Sequence, residues 1–352
     1  MQQNTRQVST SYAQSVVKRR CYLLLGVFVC IVAFVFNIMT GSSMLSVQDV
    51  LSAILRDGTV NKTTEVIVWS MRLPAAVTAL LVGACLGLAG GCMQTLLGNP
   101  LASPYTLGVS AGAGFGASLI IVTGIGTATL IGNIMVPIGA FTGALLASGA
   151  IFLVSKVRGF SSSTLVLSGI GLMFFFQALQ SMLQYVASVE ALQSIVFWTM
   201  GNLTKADWGN ILVILIALLV CTPLILVDSW KLTALKLGDT KAQSLGIQVE
   251  QLRMKMLVLI SLLSAFAVAF VGTIGFVGIV GPHIARMLVG EDQRYFLSFS
   301  AICGAGILAV ASLMTKLLIP GALLPVSIVT SIIGVPFFFI IMFSRKKGGR
   351  PF

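Results

Sequence analysis

Long apolar runs alternate with short polar connections along the whole chain, and the length of the runs sets the first reading. Apolar stretches fall at about 21–39, 72–96, 105–123, 132–155, 163–187, 210–227, 255–274, 295–315 and 325–343. About 20 helical residues cross the hydrocarbon core of a bilayer, so each run is a candidate span. A shorter piece, 283–289, follows Gly275, Gly278, Gly281 and Pro282, where glycine and proline predict a break. Counting it as the eighth span gives ten helices. Gly98-Asn99-Pro100 closes the second run, a Gly/Thr-rich turn at 123–129 separates the third and fourth, and Glu291-Asp292-Gln293-Arg294 precedes the ninth. The polar stretch 40–65 is expected outside. The segment 190–209, with Trp198, Trp208, Glu190, Lys205 and Asp207, suits an outer interfacial helix and turn.

Composition agrees with this pattern. Of 352 residues, 57% are apolar and 9% charged, with a mean hydropathy of +1.01; soluble domains carry roughly a quarter charged residues. The expected class is an all-α polytopic membrane protein of about ten transmembrane helices.

The net charge of +12 maps topology rather than a nucleic-acid surface. Fifteen of the 22 basic residues fall in four segments: Arg6 with Lys18–Arg20, Lys156 with Arg158, Lys231 through Lys255, and Arg345 through Arg350. Such clusters mark cytoplasmic ends. Both termini are then cytoplasmic, and ten spans satisfy the required even number. Residues 1–20 read as a cytoplasmic tail, 21–343 as the membrane domain with a cytoplasmic loop at 228–253, and 344–352 as a second tail. A cleaved secretory signal is disfavoured, because the run 21–39 is long and lacks an A-x-A site.

Catalytic chemistry has little to stand on. The six cysteines lie in or beside apolar runs without C-x-x-C spacing and read as packing residues. His283 is the only histidine, so no histidine metal cluster forms; it reads as a capping or packing residue ahead of a haem ligand. No Ser/His/Asp set, paired carboxylates or G-x-x-x-x-G-K-[ST] loop is present, so energised transport requires a motor on another chain. No acidic residue falls mid-span, which disfavours a proton- or ion-coupled carrier. Small residues recur four apart at Gly83, Gly87 and Gly91, at Gly108, Gly112 and Gly116, and at Gly139 and Gly143, a spacing that lets helices approach closely. Val109–Gly114 and Phe299–Gly306 echo each other weakly as inverted repeats would.

The most informative polar segment is Asp228–Arg253. Within it, Leu237–Gly246 predicts a two-turn helix with Asp239 as its N-cap, Gly246 as its left-handed stop, and Ala242 and Leu245 on one face. A helix this short needs something to pack against; the bland alternative is a solvated loop on the headgroups.

These residues carry a resemblance. Arg72-Leu73-Pro74, Leu81–Ala84, Met93–Leu96, Asn99–Pro104, Leu107–Ala113, Leu237–Asp239, Ser244–Gly246, Gly275–Gly278, Gly281–Arg286, Leu324–Val326 and Ile333–Phe338 occur in the order found in permease subunits of the ABC importers that take up ferric siderophores, haem and cobalamin. The chain resembles this family from residue 72 to 338. The resemblance implies ten helices per subunit and a second permease subunit, identical or related. It also implies a cytoplasmic ABC ATPase dimer holding ATP and Mg²⁺, and an extracytoplasmic substrate-binding protein. No cofactor or metal is expected in this chain and no enzymatic activity of its own. The location implied is the bacterial cytoplasmic (inner) membrane, among lipid. The expected cargo is a ferric siderophore or related iron chelate, with haem and cobalamin as alternatives. A gradient-driven secondary transporter is the competing class; a membrane enzyme is weaker still.

By the same resemblance, Gly238, Asp239, Ala242, Leu245 and Gly246 form the ATPase-coupling helix, with Asp239 where the family often has glutamate. Arg72 and Lys316 would dock the binding protein, the alternative being that both snorkel to headgroups. The family's second arginine after Arg72 is Ala75 here, and Lys316 stands where an arginine is usual, so bidentate geometry is lost. Asn99, Leu101, Ser162 and Ser163 match the cytoplasmic gate, or are ordinary turn residues. Gln177, Gln180 and Gln184 share a helix face that would line the pathway or bond neighbouring helices.

Overall fold

A computed structural model describes residues 2–41, 44–125, 132–319 and 324–344. Fifteen α-helices follow one another: α1 (Gln2–Met39), α2 (Val47–Leu55), α3 (Lys62–Ile67), α4 (Leu73–Leu97), α5 (Val109–Thr123), α6 (Gly132–Arg158), α7 (Ser162–Val186), α8 (Val189–Thr199), α9 (Trp208–Leu226), α10 (Ser229–Leu235), α11 (Asp239–Ser244), α12 (Val249–Val271), α13 (Val277–Val289), α14 (Gln293–Leu318) and α15 (Val326–Ser344). Seven helical stretches are long and apolar enough to cross a bilayer, and α5, α13 and Val326–Ile340 of α15 are shorter apolar helices. Together they occupy the ten predicted places.

Several boundaries differ from the sequence reading. The second span is not a helix starting at 72. Its helix begins at Lys62 and runs to Leu97, with a π-helical turn at Val68–Arg72. Pro74 lacks an amide hydrogen and cannot donate to the preceding turn; a widened turn immediately before it accommodates that loss. In the stretch 40–65, Ser46 and Asp49 form a capping box at the start of α2, satisfying two terminal donors reciprocally. Residues 105–108 form a turn, so α5 starts at Val109. The expected break at Pro282 is absent: α13 runs through it from Val277. The real break is Gly272–Phe276, where Phe276 adopts φ 66°. The 190–209 segment is α8 plus a turn, as expected. Part of the 123–129 turn, and the basic cluster 345–350, lie outside the described residues.

The core forms around α4, whose residues are buried on nearly every side. The glycine stripes explain how so many helices reach it. Gly83 and Gly87 face Gly304 and Ser300 of α14, while Gly90 faces Gly278 of α13. Gly112 and Gly116 of α5 face Gly143 and Gly139 of α6. In lipid, where hydrophobicity does not drive helix association, such backbone proximity maximises dispersion contacts. α14, by contributing Gly304, completes the first stripe. α1 and α7 are the least covered spans, with 17% of each apolar window buried.

Charged side chains collect at one end of the bundle. Arg19 of α1 lies 3.6 Å from Asp292 and its guanidinium stacks on Tyr295 at 4.9 Å. The α10–α11 segment reaches the same end through a Lys236–Glu291 ion pair. At the other end, Trp69 and Trp208 pack with centroids 5.7 Å apart, and Arg56 sits over Trp69 at 4.8 Å. Aromatic belts of this kind mark a membrane–water interface.

Candidate functional site: the charged end and the 228–253 loop

The segment 228–253 is held to the bundle by three charge clusters. The first centres on Asp228, which is buried and accepts from Lys231 Nζ at 2.7 Å and Lys255 Nζ at 2.5 Å. Burial alone would raise its pKa, but the two lysines outweigh that and hold the carboxyl below its ordinary value.

In the second cluster, Lys236 pairs with Glu291, whose other oxygen lies 3.4 Å from Arg286 Nε. Burial draws the Lys236 amine below its usual value, against the raising effect of Glu291. Arg286 also donates to Gln94 Oε1 at 2.9 Å, and the neighbouring Thr95 hydroxyl donates to Gln293 Oε1 at 2.9 Å. The ends of α4, α13 and α14 are thereby tied to the loop.

The third cluster is Arg253, which is buried. Its Nη1 donates to Asp239 Oδ2 at 2.7 Å and to the Phe160 carbonyl at 2.8 Å. Its Nη2 donates to Asp239 Oδ1 at 3.0 Å and to Ser162 Oγ at 3.3 Å.

This geometry corrects the expected role of Asp239. Gly238, with φ 99°, is the N-cap, and Asp239 makes no side-chain capping bond. Its carboxylate occupies the first turn, where a negative charge is favourable, and is spent on Arg253. Gly246 stops the helix at φ 79°, as predicted. Ala242 is fully buried whereas Leu245 is 52% exposed, so the two do not share a face: Leu245 is the C-cap residue and turns outward. Leu237 is 58% exposed on the other flank.

At the opposite end, Arg72 and Lys316 come together around the C-terminus of α1. Arg72 is buried and its Nη1 donates to the Ile38 and Met39 carbonyls at 3.0 and 2.9 Å. Lys316 Nζ donates to the Asn37 carbonyl and Asn37 Oδ1, both at 2.7 Å. Unpaired carbonyls at a helix C-terminus attract cations. Both side chains are therefore engaged with α1. Ala75 is buried. Lys316 also lines a cavity of about 200 Å³ with Asn202, Thr204, Ser312 and Thr315.

Asn99 uses its side chain for its own turn, accepting from the Leu101 amide at 2.9 Å. Leu101 is 41% exposed. Ser163 is exposed at the first turn of α7, and the neighbouring Ser161 caps that helix by accepting from Thr164 N at 3.1 Å. Gln177 is exposed, while Gln180 is partly covered and its Oε1 is set against Gly114 of α5; Gln184 is also partly covered. The ring of His283 packs edge-on against Phe337, 5.7 Å between centroids, as a packing residue would. Among the described residues no group of three His, Cys, Asp or Glu side chains could hold a metal ion.

Sequence reasoning missed Asp228, Asn37 and the role of Arg253. Arg253 was legible only as a topology marker; a basic residue in the first turns of a long apolar helix, after a short helix that opens with an aspartate, was the available signal.

Comparison with known proteins places this arrangement. The model of the FecCD transport family matches residues 29–344. The hemin transport system permease protein HmuU of Yersinia pestis is 33% identical over 82% of this chain and 87% of its own. The Fe(3+)-citrate import system permease protein YfmD of Bacillus subtilis is 33% identical over 94% and 97%. The molybdate import system permease protein MolB of Haemophilus influenzae is 33% identical over 91% and 94%. A solved structure of the metal-chelate ABC transporter type, in an inward-facing conformation, superposes with a TM-score of 0.81 at 31% identity, covering 92% of this chain and 99% of that one. The chain belongs to the FecCD transport family, as a multi-pass permease subunit of the cytoplasmic membrane.

Proposed function

We propose that the protein is the permease of an ATP-driven importer that carries a ferric siderophore or related iron chelate inward by alternating access. The observation that carries this reading is the α11 segment. It is a six-residue helix between two left-handed glycines, bolted to the bundle by Asp239–Arg253 and flanked by the exposed Leu237 and Leu245. Exposed apolar side chains on the 228–253 segment, Leu237 and Leu245 together with Trp230, call for a protein partner, and a cytoplasmic ABC ATPase dimer supplies it. ATP and Mg²⁺ belong to that partner, and this chain brings neither cofactor nor catalytic group. A second permease subunit would cover the apolar flank of α7, and an extracytoplasmic binding protein would deliver cargo.

Selectivity then resides mainly in the binding protein, which agrees with spans almost free of charge. Iron chelate is preferred to haem because His283, the one histidine in the sequence, packs against Phe337, and relatives include two Fe(3+)-citrate permeases. Gln177 lines the pathway, and Asn99, Leu101, Ser162 and Ser163 form the cytoplasmic gate.

Reconstitution tests the reading. Proteoliposomes holding the permease, its ATPase and its binding protein should take up ⁵⁵Fe from at least one of ferric hydroxamate, ferric catecholate or ferric citrate, in the presence of ATP only. Uptake that persists with an ATPase unable to hydrolyse ATP, or that follows an imposed proton gradient, would overturn it.

A further inference from the structure

We infer that Arg253 is a tie through which displacement of α11 is passed to the start of α7, so that the two move as one body. The inference rests on α11 being the ATPase-facing element proposed above, but the tie itself is a matter of geometry. Three chain segments meet at one guanidinium: the Asp239 carboxylate of α11, the Phe160 carbonyl in the α6–α7 turn, and the Ser162 hydroxyl that opens α7.

Arg253 is buried, and its Nε is buried without a hydrogen-bond partner among the described residues. The ion pair is buried on one side only, with the Arg253 side chain 6% and the Asp239 side chain 49% exposed, so it anchors a surface segment to an interior guanidinium. A planar five-donor fork fixes several acceptors relative to one another, which lysine cannot do.

The ends of the tie are suited to movement. α11 is six residues long and is bounded by Gly238 and Gly246, both at positive φ, with Ala242 as its one buried residue, so few contacts besides the Arg253 tie hold it. The α7 start is stiff, because Ser161 caps it. Beyond that first turn, α7 is among the least covered spans in the bundle, and its tilt is weakly restrained by this chain. A push on α11 therefore reaches Phe160 and Ser162 with little slack, and α7 follows together with the permease subunit proposed above to cover its apolar flank. Arg253 is a positioning residue; it need touch neither cargo nor nucleotide.

Spin labels on Lys241→Cys and Ser163→Cys, both exposed positions, report the tie directly. The exposed Cys21 is replaced by serine, and labelled chains are diluted with unlabelled ones in nanodiscs. The pair should give one narrow distance distribution, with the same mean before and after addition of ATPase and ATP–Mg²⁺. Arg253→Lys should at least double the width of that distribution. Ser162→Ala, which removes only the α7 leg and leaves the ion pair intact, should broaden it by about half and serves if the lysine variant does not fold. Unchanged width in the variant that folds, or a parent separation that shifts on ATP addition, overturns the inference. The width comparison needs no cargo and no ATPase, so a failure of iron uptake would strike the proposed function and leave the tie standing.

Discussion

Gly83 on α4 and Gly304 on α14 back onto each other so closely that a methyl group built on either would fall on the other's carbonyl oxygen. The obstacle is backbone, which cannot rotate away as a side chain can. Gly83→Ala or Gly304→Ala should therefore push the two helices apart and lower stability by about 1–3 kcal/mol, the usual cost of overpacking. Gly149→Ala is the control, since nothing lies within 4 Å of a methyl group there, and it should raise the midpoint slightly through the helix-propensity gain of about 0.5–1 kcal/mol. Thermal unfolding in detergent, followed by tryptophan fluorescence, distinguishes the three.

Arg72→Ala leaves the Ile38 and Met39 carbonyls without their donor in a buried setting. Hydrogen bonds to charged groups contribute about 1.5–3 kcal/mol, so the variant should melt earlier in the isolated permease, with no binding protein present. If Arg72 served only to dock a binding protein, the melting midpoint would stay put and only the affinity for that partner would fall. Arg72→Lys keeps the charge but not the fork, and should lie between the two.

Asp228 predicts a defined pH dependence. Its pKa in the fold is below the ordinary value, about 3.9 for an unperturbed aspartate. The stabilisation from Lys231 and Lys255 is thus complete above about pH 4 and is lost as the pH falls through the depressed value. Asp228→Asn should be less stable than the parent at pH 7, and the two melting curves should converge under acid. Persistence of the gap at low pH would show that something other than ionisation is at work.

These outcomes bear on how much could be read beforehand. The ten-helix reading survived because run length and bilayer thickness constrain each other, and the glycine stripes were legible because four-residue spacing has one geometric meaning on a helix. Pro282 misled because proline normally ends a helix, whereas here α13 continues through it in a bundle where neighbouring backbone is close. Arg72 and Lys316 look alike in sequence to snorkelling or docking cations; only the fold brings the end of α1 to them. Asp239 was read as a cap because local rules see its own helix and not Arg253, fourteen positions on.

Gln177 and Gln180 are separated by exposure rather than spacing. Gln177 is exposed on α7, so Gln177→Ala should leave the melting midpoint unchanged while reducing iron uptake several-fold. Gln180 rests on Gly114, so Gln180→Ala should loosen the α5–α7 contact and lower the midpoint. Parallel uptake and unfolding measurements on the two variants test the division.

Leu237 and Leu245 make the sharpest claim on the ATPase partner. Each is more than half exposed, at 58% and 52%, and they bracket α11. Burying the exposed half of a leucine contributes about 0.8–1.5 kcal/mol, which corresponds to about four- to twelvefold in affinity for each. Leu245→Asp removes that gain and adds a charge to be desolvated, while disturbing nothing inside the permease, because the side chain projects outward. The variant should fold with the parent's melting midpoint, lose ATPase on co-purification, and fail to import. Retention of ATPase at parental stoichiometry by the Leu237→Asp, Leu245→Asp double variant would mean that the partner docks elsewhere.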